Sequence, residues 1–213
     1  MNMTQRALLG FCAAFAIAAP AAALAAPVCP PGLPPGIGCG GKDLAAATAG
    51  TYALDRNHAG IVARVSHLGY SYSIFRFGKV KGELKWDPAA VAASKLSVTV
   101  ETASIETNVE GFAERLAGDG FLKSTTFPQA TFESTAFRPI DAAHGEVDGQ
   151  FTLMGKTAPV TFKVDLVGAG IGFGKPRLGV HAVTWIDPRT YGLPAMMTVP
   201  IELVVDAEFE RQP

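Results

Sequence analysis

The chain is poor in cysteine, in tryptophan and in charged side chains, and these shortages exclude some classes of protein. It has three cysteines and two tryptophans in 213 residues, and 17% of its residues are charged. Its 18 basic and 19 acidic residues nearly cancel. Because nucleic acids and anionic membrane surfaces attract proteins with a strong basic field, we expect no nucleic-acid partner and no more than transient contact with a membrane.

Common catalytic and metal-binding motifs are missing as well. The sequence has no GxSxG nucleophile elbow and no HExxH motif, and His58, His144 and His181 show no metal-ligand spacing. The glycine-rich run at 168–175 does not fit a phosphate-binding loop, because Pro176 stands where Ser or Thr is needed. We predict a flexible inter-strand loop there, and we expect no metal, no cofactor and no enzymatic activity.

The N-terminus has the composition of an export signal. Arg6 supplies a positive region, residues 8–19 form a short alanine-rich apolar run, and residues 23–25 read as a small-x-small cleavage site. The apolar run is shorter than the ~20 residues that a spanning helix needs. We therefore predict a cleaved signal peptide at residues 1–25 and an exported mature chain.

Two cysteines, Cys29 and Cys39, remain after that cleavage, in an oxidising compartment. A disulfide between them is the simpler interpretation. Zinc binding is the alternative, although two sulfurs with no nearby histidine make half a site. Residues 26–49 carry prolines and glycines without apolar periodicity, which indicates a linker or disordered arm ahead of a folded domain at 50–213.

From Tyr52 onward, apolar and polar residues alternate with a period of two, which is typical of strands with one wet and one dry face. The alternation is clearest at 79–87, 96–101, 146–153, 158–167 and 199–210. Weaker strands are predicted at 52–55, 59–68, 70–77, 129–137 and 178–186. Helical periodicity appears mainly at 107–117, which predicts one amphipathic helix or two short turns.

One-sided strands with few helices must bury their dry faces against each other, in a sandwich or in a closed barrel. Closure removes the edges that invite aggregation, and an eight-stranded barrel has room for one small ligand. Periodicity does not separate a ligand-holding barrel from a filled one, so both interpretations stay open at this point.

Short motifs follow one another along the predicted domain. They are Tyr52-x-Leu54-Asp55-x-x-His58, Val65-x-His67-Leu68-Gly69, Arg76-Phe77 with Gly82, Ser104-Ile105-Glu106-Thr107, Phe121-Leu122, Phe127-Pro128, Ala130-Thr131-Phe132-x-Ser134, Phe151-Thr152-Leu153-x-Gly155-x-Thr157-x-Pro159-Val160, Tyr191-Gly192 and Ile201-x-Leu203-x-Val205-x-Ala207. As an ordered set they resemble the YceI-like family of polyisoprenoid-binding periplasmic proteins. Phe75 and Met154 depart from the family pattern, which usually has glycine and histidine there, and Glu114-Arg115 matches it in part.

The resemblance implies an all-β fold, an antiparallel lipocalin-like barrel of about eight strands with one short helical insertion. It implies a lumen that binds, and carries or stores, a polyisoprenoid or similar long apolar lipid such as an isoprenoid quinone. It also implies a periplasmic location and homodimers. The alternatives are an enzyme that acts on an isoprenoid lipid and a structural barrel with no ligand.

We predict that the lumen is lined by the apolar phase of each strand, together with His67, which is in phase with Ile61 and Val65. The predicted lining residues are Ile61, Val65, His67, Val80, Leu84, Trp86, Val98, Phe132, Phe151, Phe162, Val164, Val180, Ile201 and Leu203. The alternative is that these side chains pack against one another with no space for a ligand. Arg76 is the candidate for contact with a lipid head group, because it belongs to a matched motif.

Overall fold

The structure is a computed structural model that describes residues 29–213, so the predicted signal peptide at 1–25 lies outside the described residues. The strands are β1 (Gly50–His67), β2 (Ser71–Phe77), β3 (Val80–Trp86), β4 (Lys95–Glu101), β5 (Ile105–Glu106), β6 (Gln129–Pro139), β7 (His144–Leu153), β8 (Lys156–Gly172), β9 (Lys175–Ile186) and β10 (Ile201–Arg211). The helices are α1 (Phe112–Ala117) and α2 (Pro188–Tyr191), with 3₁₀ turns at Leu44–Ala46, Val91–Ala93 and Thr102–Ser104. Among the described residues, no helix has the length and hydropathy to cross a bilayer.

Eight of these strands close into an antiparallel barrel, in the order β1-β3-β4-β6-β7-β8-β9-β10 and back to β1. One edge of β1 pairs with β10. The other edge pairs with β3 at residues 50–53 and with β2 at residues 61–67. The short strand β5 pairs with β2. The prediction of an all-β antiparallel barrel of about eight strands with a short helical insertion is confirmed.

Alternation along each strand determines which side chains enter the barrel. On β3, Val80, Leu84 and Trp86 are buried, whereas the lysines and the glutamate between them are exposed. Gly149 lies on the inward face of β7, where a Cβ would be 2.4 Å from atoms of the Phe132 ring on β6. The dry faces of neighbouring strands therefore meet in one interior.

The buried residues of that interior form two separate clusters. The upper cluster, at the end that holds α1 and α2, comprises Ala63, Ile105, Leu116, Leu122, Ala130, Leu153, Met154, Ile186, Tyr191, Leu193 and Ile201. The lower cluster, at the opposite end, comprises Ala47, Tyr52, Leu84, Trp86, Leu166, Ala169, Leu178, Ala207 and Phe209. The core is thus densest towards the two ends of the barrel.

Three predicted elements differ from the observed ones. The two strands predicted at 52–55 and 59–68 are one strand, β1, whose pairing with β10 is irregular between Leu54 and Ala59. The run at 168–175 is the end of β8 and a tight turn rather than a flexible loop, because it pairs with β9 through Gly172 and Lys175. The helix is limited to α1, which begins after Gly111 in a left-handed conformation (φ 69°).

Part of the predicted linker at 26–49 packs on the barrel. We name residues 38–47 the strap. Two hydrogen bonds join Gly41 to Ala169 of β8, with N···O distances of 2.9 and 2.8 Å. Ala47 is fully buried in the lower cluster, and its carbonyl accepts a hydrogen bond from Trp86 Nε1 at 2.9 Å. The prediction of a linker is therefore wrong for the strap.

The sheet explains why the strap packs where it does. Because β7 begins at His144, opposite Asp165, the part of β8 beyond that point has no strand on this edge. The strap covers this edge, which leaves fewer backbone groups unpaired. The structure joins Cys29 to Cys39 in a disulfide with a Cα–Cα distance of 5.6 Å, at the start of the strap.

Contact between backbones requires glycine in the strap. A Cβ at Gly38 would lie 2.1 Å from the carbonyl oxygen of Ile171. We therefore predict that Gly38→Ala displaces the strap and lowers the free energy of unfolding by about 1–2 kcal/mol. In a thermal melt this corresponds to a fall of the midpoint by about 2–8 °C for a domain of this size.

The control is Gly60→Ala, since a Cβ at Gly60 meets no atom within 4 Å. Both substitutions have the same effect on the unfolded chain, so a difference between them reports the packing of the strap. Equal melting midpoints for the two variants would contradict the packing described above.

Candidate functional site

The barrel interior contains a cavity of about 280 Å³. Each of the eight barrel strands contributes at least one apolar side chain to its wall, and members of both core clusters line it. Ile201 and Phe209 both line the cavity and are eight residues apart on β10, a span of about 26 Å at ~3.3 Å per residue. A cavity of this length and volume is narrow.

Twelve of the fourteen predicted lining residues lie on the cavity wall. They are Ile61, Val65, Leu84, Trp86, Val98, Phe132, Phe151, Phe162, Val164, Val180, Ile201 and Leu203. Val80 is buried, at 6% exposure, but is not part of the wall. A barrel with no room for a ligand would have these side chains packed against one another. Instead they border a cavity.

His67 and Arg76 lie away from the cavity. His67 is the last residue of β1 and pairs with Ser71 in a hairpin, where its side chain is exposed. Arg76 is exposed on the outer face of β2, because alternation directs Phe75 and Phe77 to the cavity wall instead. His67 is thus not part of the cavity wall, and the contact of Arg76 with a lipid head group stays a prediction.

Wall residues of two kinds are absent from the predicted set. Some lie on strands in the predicted phase, such as Ala63 and Leu178, and a complete extension of the alternation would have found them. Others come from segments between strands: Leu44 of the strap, Leu116 of α1 and Met197 before β10. Helical periodicity marks the apolar face of α1 that includes Leu116, but no periodic signal shows that these connecting segments fold over the barrel ends.

The wall has few polar side chains. Of the described residues that line it, Thr102 and Thr131 carry hydroxyl groups, and Thr102 Oγ1 donates a hydrogen bond to the carbonyl of Phe127 at 2.8 Å. Arg138, Asp141, His144 and Glu146 of the β6–β7 hairpin border the cavity, but Arg138 and Glu146 lie in the outward phase of their strands, next to the inward Phe137 and Val147. The wall therefore suits an apolar occupant.

Ion pairs occupy the charged groups of this hairpin. Arg138 contacts Glu146 (Nη2···Oε2 2.7 Å) and Asp148. His144 Nδ1 lies 2.8 Å from Asp141 Oδ1. Hydrogen bonds from the backbone amide of Ala143 and from His144 lower the pKa of Asp141, so Asp141 stays ionised.

A second cluster of titratable groups lies outside the barrel, at the irregular pairing of β1. Asp55, His58 and Glu208 place one ligand atom each within 4.8 Å of one another, a spacing that a metal ion can bridge. However, Arg177 Nη1 lies 3.0 Å from Asp55 Oδ2 and 2.9 Å from Glu208 Oε2. The guanidinium thus supplies the positive charge of this cluster, and a cation placed there would meet its repulsion.

Hydrogen bonding shifts the titration of this cluster. The hydrogen bond with His58, followed by that from Arg177, lowers the pKa of Asp55 from 3.8 to about 2. The same contact with Asp55 raises the pKa of His58 above 6.5. The contribution of Asp55 to stability is therefore present above about pH 4 and is lost as the pH falls towards 2. The contribution of His58 is present below pH 6.5 and is lost as the pH rises above that value.

We predict that Asp55→Asn lowers the free energy of unfolding by about 1–2 kcal/mol at pH 5 and by much less at pH 2. Chemical denaturation at a series of pH values measures this difference. Asp119→Asn is the control, since Asp119 is exposed and forms none of the ion pairs found among the described residues. A pH-independent effect of Asp55→Asn would contradict the assigned role of the carboxylate.

The geometry defines a class of protein, the closed antiparallel barrels with an apolar lumen. The model of the YceI-like domain matches residues 52–210, and the chain belongs to the YceI-like family. A UPF0312 protein of Vibrio cholerae is 36% identical over 156 residues, which cover 71% of this chain and 82% of that protein. The strap lies before the matched region.

Two solved structures have a similar fold. BcnA of Burkholderia cenocepacia has a TM-score of 0.66 and 22% identity, covering 73% of this chain and 98% of that one. A polyisoprenoid binding domain from Saccharophagus degradans has a TM-score of 0.57 and 16% identity, covering 76% of this chain and 98% of that one. At these identities the likeness shows a shared fold.

Proposed function

We propose that this chain binds a polyisoprenoid or a similar long apolar lipid, such as an isoprenoid quinone, in the barrel lumen, and that it carries or stores this lipid in the periplasm. The observation that supports the proposal most is the narrow apolar cavity between the two core clusters. The polyisoprenoid binding domain from Saccharophagus degradans, which has the same fold, supports the choice of ligand. Family and neighbour together suggest a binding protein rather than an enzyme.

The shape of the cavity favours a chain over a compact ligand. A span of about 26 Å with a volume of about 280 Å³ suits one extended hydrocarbon chain. Phe132, Phe151 and Phe162 contribute aromatic faces to the wall, against which such a chain packs by dispersion. The alternative of an enzyme depended on His67 as a titratable residue in the lumen, but His67 lies on an exposed hairpin.

Reversible carriage follows because a lipid that leaves the lumen enters a bilayer rather than water. Burial of apolar surface stabilises by ~25 cal/mol per Å², or about 0.8 kcal/mol per CH₂, when water is the alternative. For a membrane lipid the alternative is the bilayer, which is as apolar as the lumen wall. The net preference is therefore small, which suits uptake and release. Transient membrane contact and a homodimer are further parts of this proposal.

The lumen is tested by neighbouring substitutions on opposite faces of one strand. We expect Ala182→Phe to fill the cavity and to reduce lipid retention at least tenfold, because Ala182 lines the wall. The side chain of the adjacent Val183 points outward, so we expect the control Val183→Phe to leave lipid retention unchanged. Retention is measured by extracting the purified protein with organic solvent and quantifying the lipid by mass spectrometry.

A charged substitution gives an independent second variant. Leu203→Glu places an unpaired carboxylate in the apolar wall, which is costly, whereas Val204→Glu on the opposite face of β10 is the matched control. Circular dichroism checks that each variant is folded. Full lipid retention by folded Ala182→Phe and Leu203→Glu would contradict the proposal.

A further inference from the structure

We propose that the tip of the β1–β2 hairpin, residues 67–72, docks on the surface of a lipid bilayer and brings the upper end of the barrel to the membrane. The inference rests on the proposed function, because it supplies the place where a carried lipid passes between bilayer and lumen. It follows from the reach of the hairpin, from the side chains at its tip and from the contact of its base with the lumen.

The hairpin extends beyond the wall of the barrel. β1 pairs with β10 as far as Arg64, whereas its pairing with β2 continues to the turn. The other edge of β2 pairs with β5 at residues 76–77. Leu68 therefore lies four residues past the last pair between β1 and β10, about 13 Å along the strand at ~3.3 Å per residue. At this distance the tip is able to reach a surface that the barrel wall does not touch.

The tip presents large apolar side chains to the solvent. Leu68 is 82% exposed and Tyr70 is 88% exposed, and Tyr72 is exposed on the outer face of β2. Residues 65–75 include His67 but no aspartate, glutamate, lysine or arginine. Tyrosine, which has an apolar ring and a polar hydroxyl group, is enriched where proteins pass from water into lipid. The tip thus has the composition of an interfacial anchor.

The backbone conformation of Leu68 also indicates a partner outside the chain. Leu68 and Gly69 form a two-residue turn with φ angles of 55° and 79°, and such turns normally have asparagine, aspartate or glycine at the first position. Met154 and Phe173 share this conformation. Met154 is buried in the upper cluster, and Cζ of Arg177 lies 5.2 Å from the centre of the Phe173 ring. Leu68 instead stays in solvent, so an apolar partner explains a leucine that the packing of the chain does not.

The base of the same hairpin belongs to the wall of the lumen. Val65 on β1 and both Phe75 and Phe77 on β2 line the cavity. Phe75 also lies near Phe112 of α1, with 6.2 Å between the ring centres. The hairpin therefore joins an exposed apolar tip to the apolar wall. Docking by the tip places the upper end of the lumen next to the bilayer, from which the proposed ligand comes.

Charges at the base of the hairpin balance one another. Arg64 forms an ion pair with Glu202, and its guanidinium lies 4.6 Å from the centre of the Tyr72 ring. Arg76, on the outer face of β2, lies opposite Glu106 in the β2–β5 register. Two bases against two acids leave no basic field that would attract an anionic surface.

The rest of the upper end is balanced as well. Lys79, just after β2, forms an ion pair with Glu101. The segments that connect strands at this end are residues 107–128, 154–157 and 187–200. Their acids are Glu110, Glu114, Asp119 and Asp187, and their bases are Arg115, Lys123, Lys156 and Arg189. Burial of the apolar tip, rather than attraction between charges, is therefore the interaction that holds the hairpin on the bilayer.

A bilayer fits the tip better than a second protein does. A stable protein interface takes about 20–30 residues on each side, whereas the tip has six. The competing partner is a second copy of the chain, paired with the edge of β2 at residues 71–75, which no described strand covers. The same edge limits insertion, because unpaired backbone groups must keep contact with water or head groups. We therefore expect shallow, reversible docking through Leu68 and Tyr70.

The docking test measures how much protein floats with vesicles of phosphatidylethanolamine and phosphatidylglycerol. We expect Leu68→Asn combined with Tyr70→Ser to reduce the bound fraction at least fivefold, because the tip loses its apolar side chains. Asparagine is favoured in the left-handed conformation, so Leu68→Asn does not lower the melting midpoint. The matched control is Phe173→Asn, the same kind of change in the turn at the lower end, and it leaves the bound fraction unchanged.

The salt dependence of flotation tests the force that holds the tip. Because apolar burial is not screened by salt, we expect the bound fraction of the unsubstituted protein to fall less than twofold in high salt. Loss of most of the bound protein in high salt would overturn docking by apolar burial.

Uptake of a lipid from vesicles connects docking to the lumen. Trp86 lines the cavity, whereas the other tryptophan, Trp185, is 54% exposed. In a Trp185→Phe background, the fluorescence of Trp86 therefore reports the entry of geranylgeraniol into the delipidated protein. We expect the double substitution at Leu68 and Tyr70 to slow uptake from vesicles at least fivefold. The amount of geranylgeraniol bound from ethanol solution stays the same.

The two proposals fail in different ways. Equal flotation of the unsubstituted protein and the double variant, or flotation of neither, would overturn docking by the hairpin and leave the lumen intact. Failure to bind geranylgeraniol from either source would overturn the lipid-binding lumen, while flotation still decides the docking. A dimer that forms without vesicles and that the double substitution converts to a monomer would assign the tip to a second copy of the chain and overturn its assignment to the bilayer.

Discussion

The pairing of β1 with β10 is the interaction on which the rest of the structure depends. Every barrel strand has one apolar face, and closure directs all of these faces towards a single axis. Without this pairing the sheet would have two free edges and an open apolar surface. The irregularity at residues 55–58 belongs to the same seam. It lets β1 bend, so that one strand pairs first with β3 and then with β2.

Closure alone does not fill the interior, and an unfilled interior is costly. Protein cores are normally packed as densely as organic crystals. With ~24 cal/mol per Å³ of cavity, a volume of about 280 Å³ corresponds to a loss on the order of 7 kcal/mol relative to a filled core. This is comparable with the whole stability of a typical domain. Such a cavity is more readily understood as the space for a ligand than as a packing defect.

The barrel interior is densely packed at its two ends and not in its middle. At the lower end the strap buries Ala47 and hydrogen-bonds to Trp86, and Tyr52 Oη donates a hydrogen bond to the carbonyl of Thr48. At the upper end α1 and the segments around it bury Leu116 and Leu122. The strap lies outside the region that the family model matches, so the lower closure includes a segment on which that match does not depend.

The sequence predicted the strands and their inward faces well, because a period of two is a local signal that closure does not change. Ile61, Leu84 and Phe162 lie on the cavity wall for this reason. His67 has the right phase but the wrong position, since β1 continues beyond the barrel as a hairpin and phase does not reveal where a strand leaves the sheet. The strap was missed because glycines that allow close backbone contact resemble those of a flexible linker.

The charged side chains that make stability depend on pH lie outside the lumen. The pH-sensitive cluster around Asp55 lies outside the barrel, so its titration acts on the seam between β1 and its neighbours rather than on the wall. The cavity wall is formed mainly by apolar side chains, whose packing does not depend on pH.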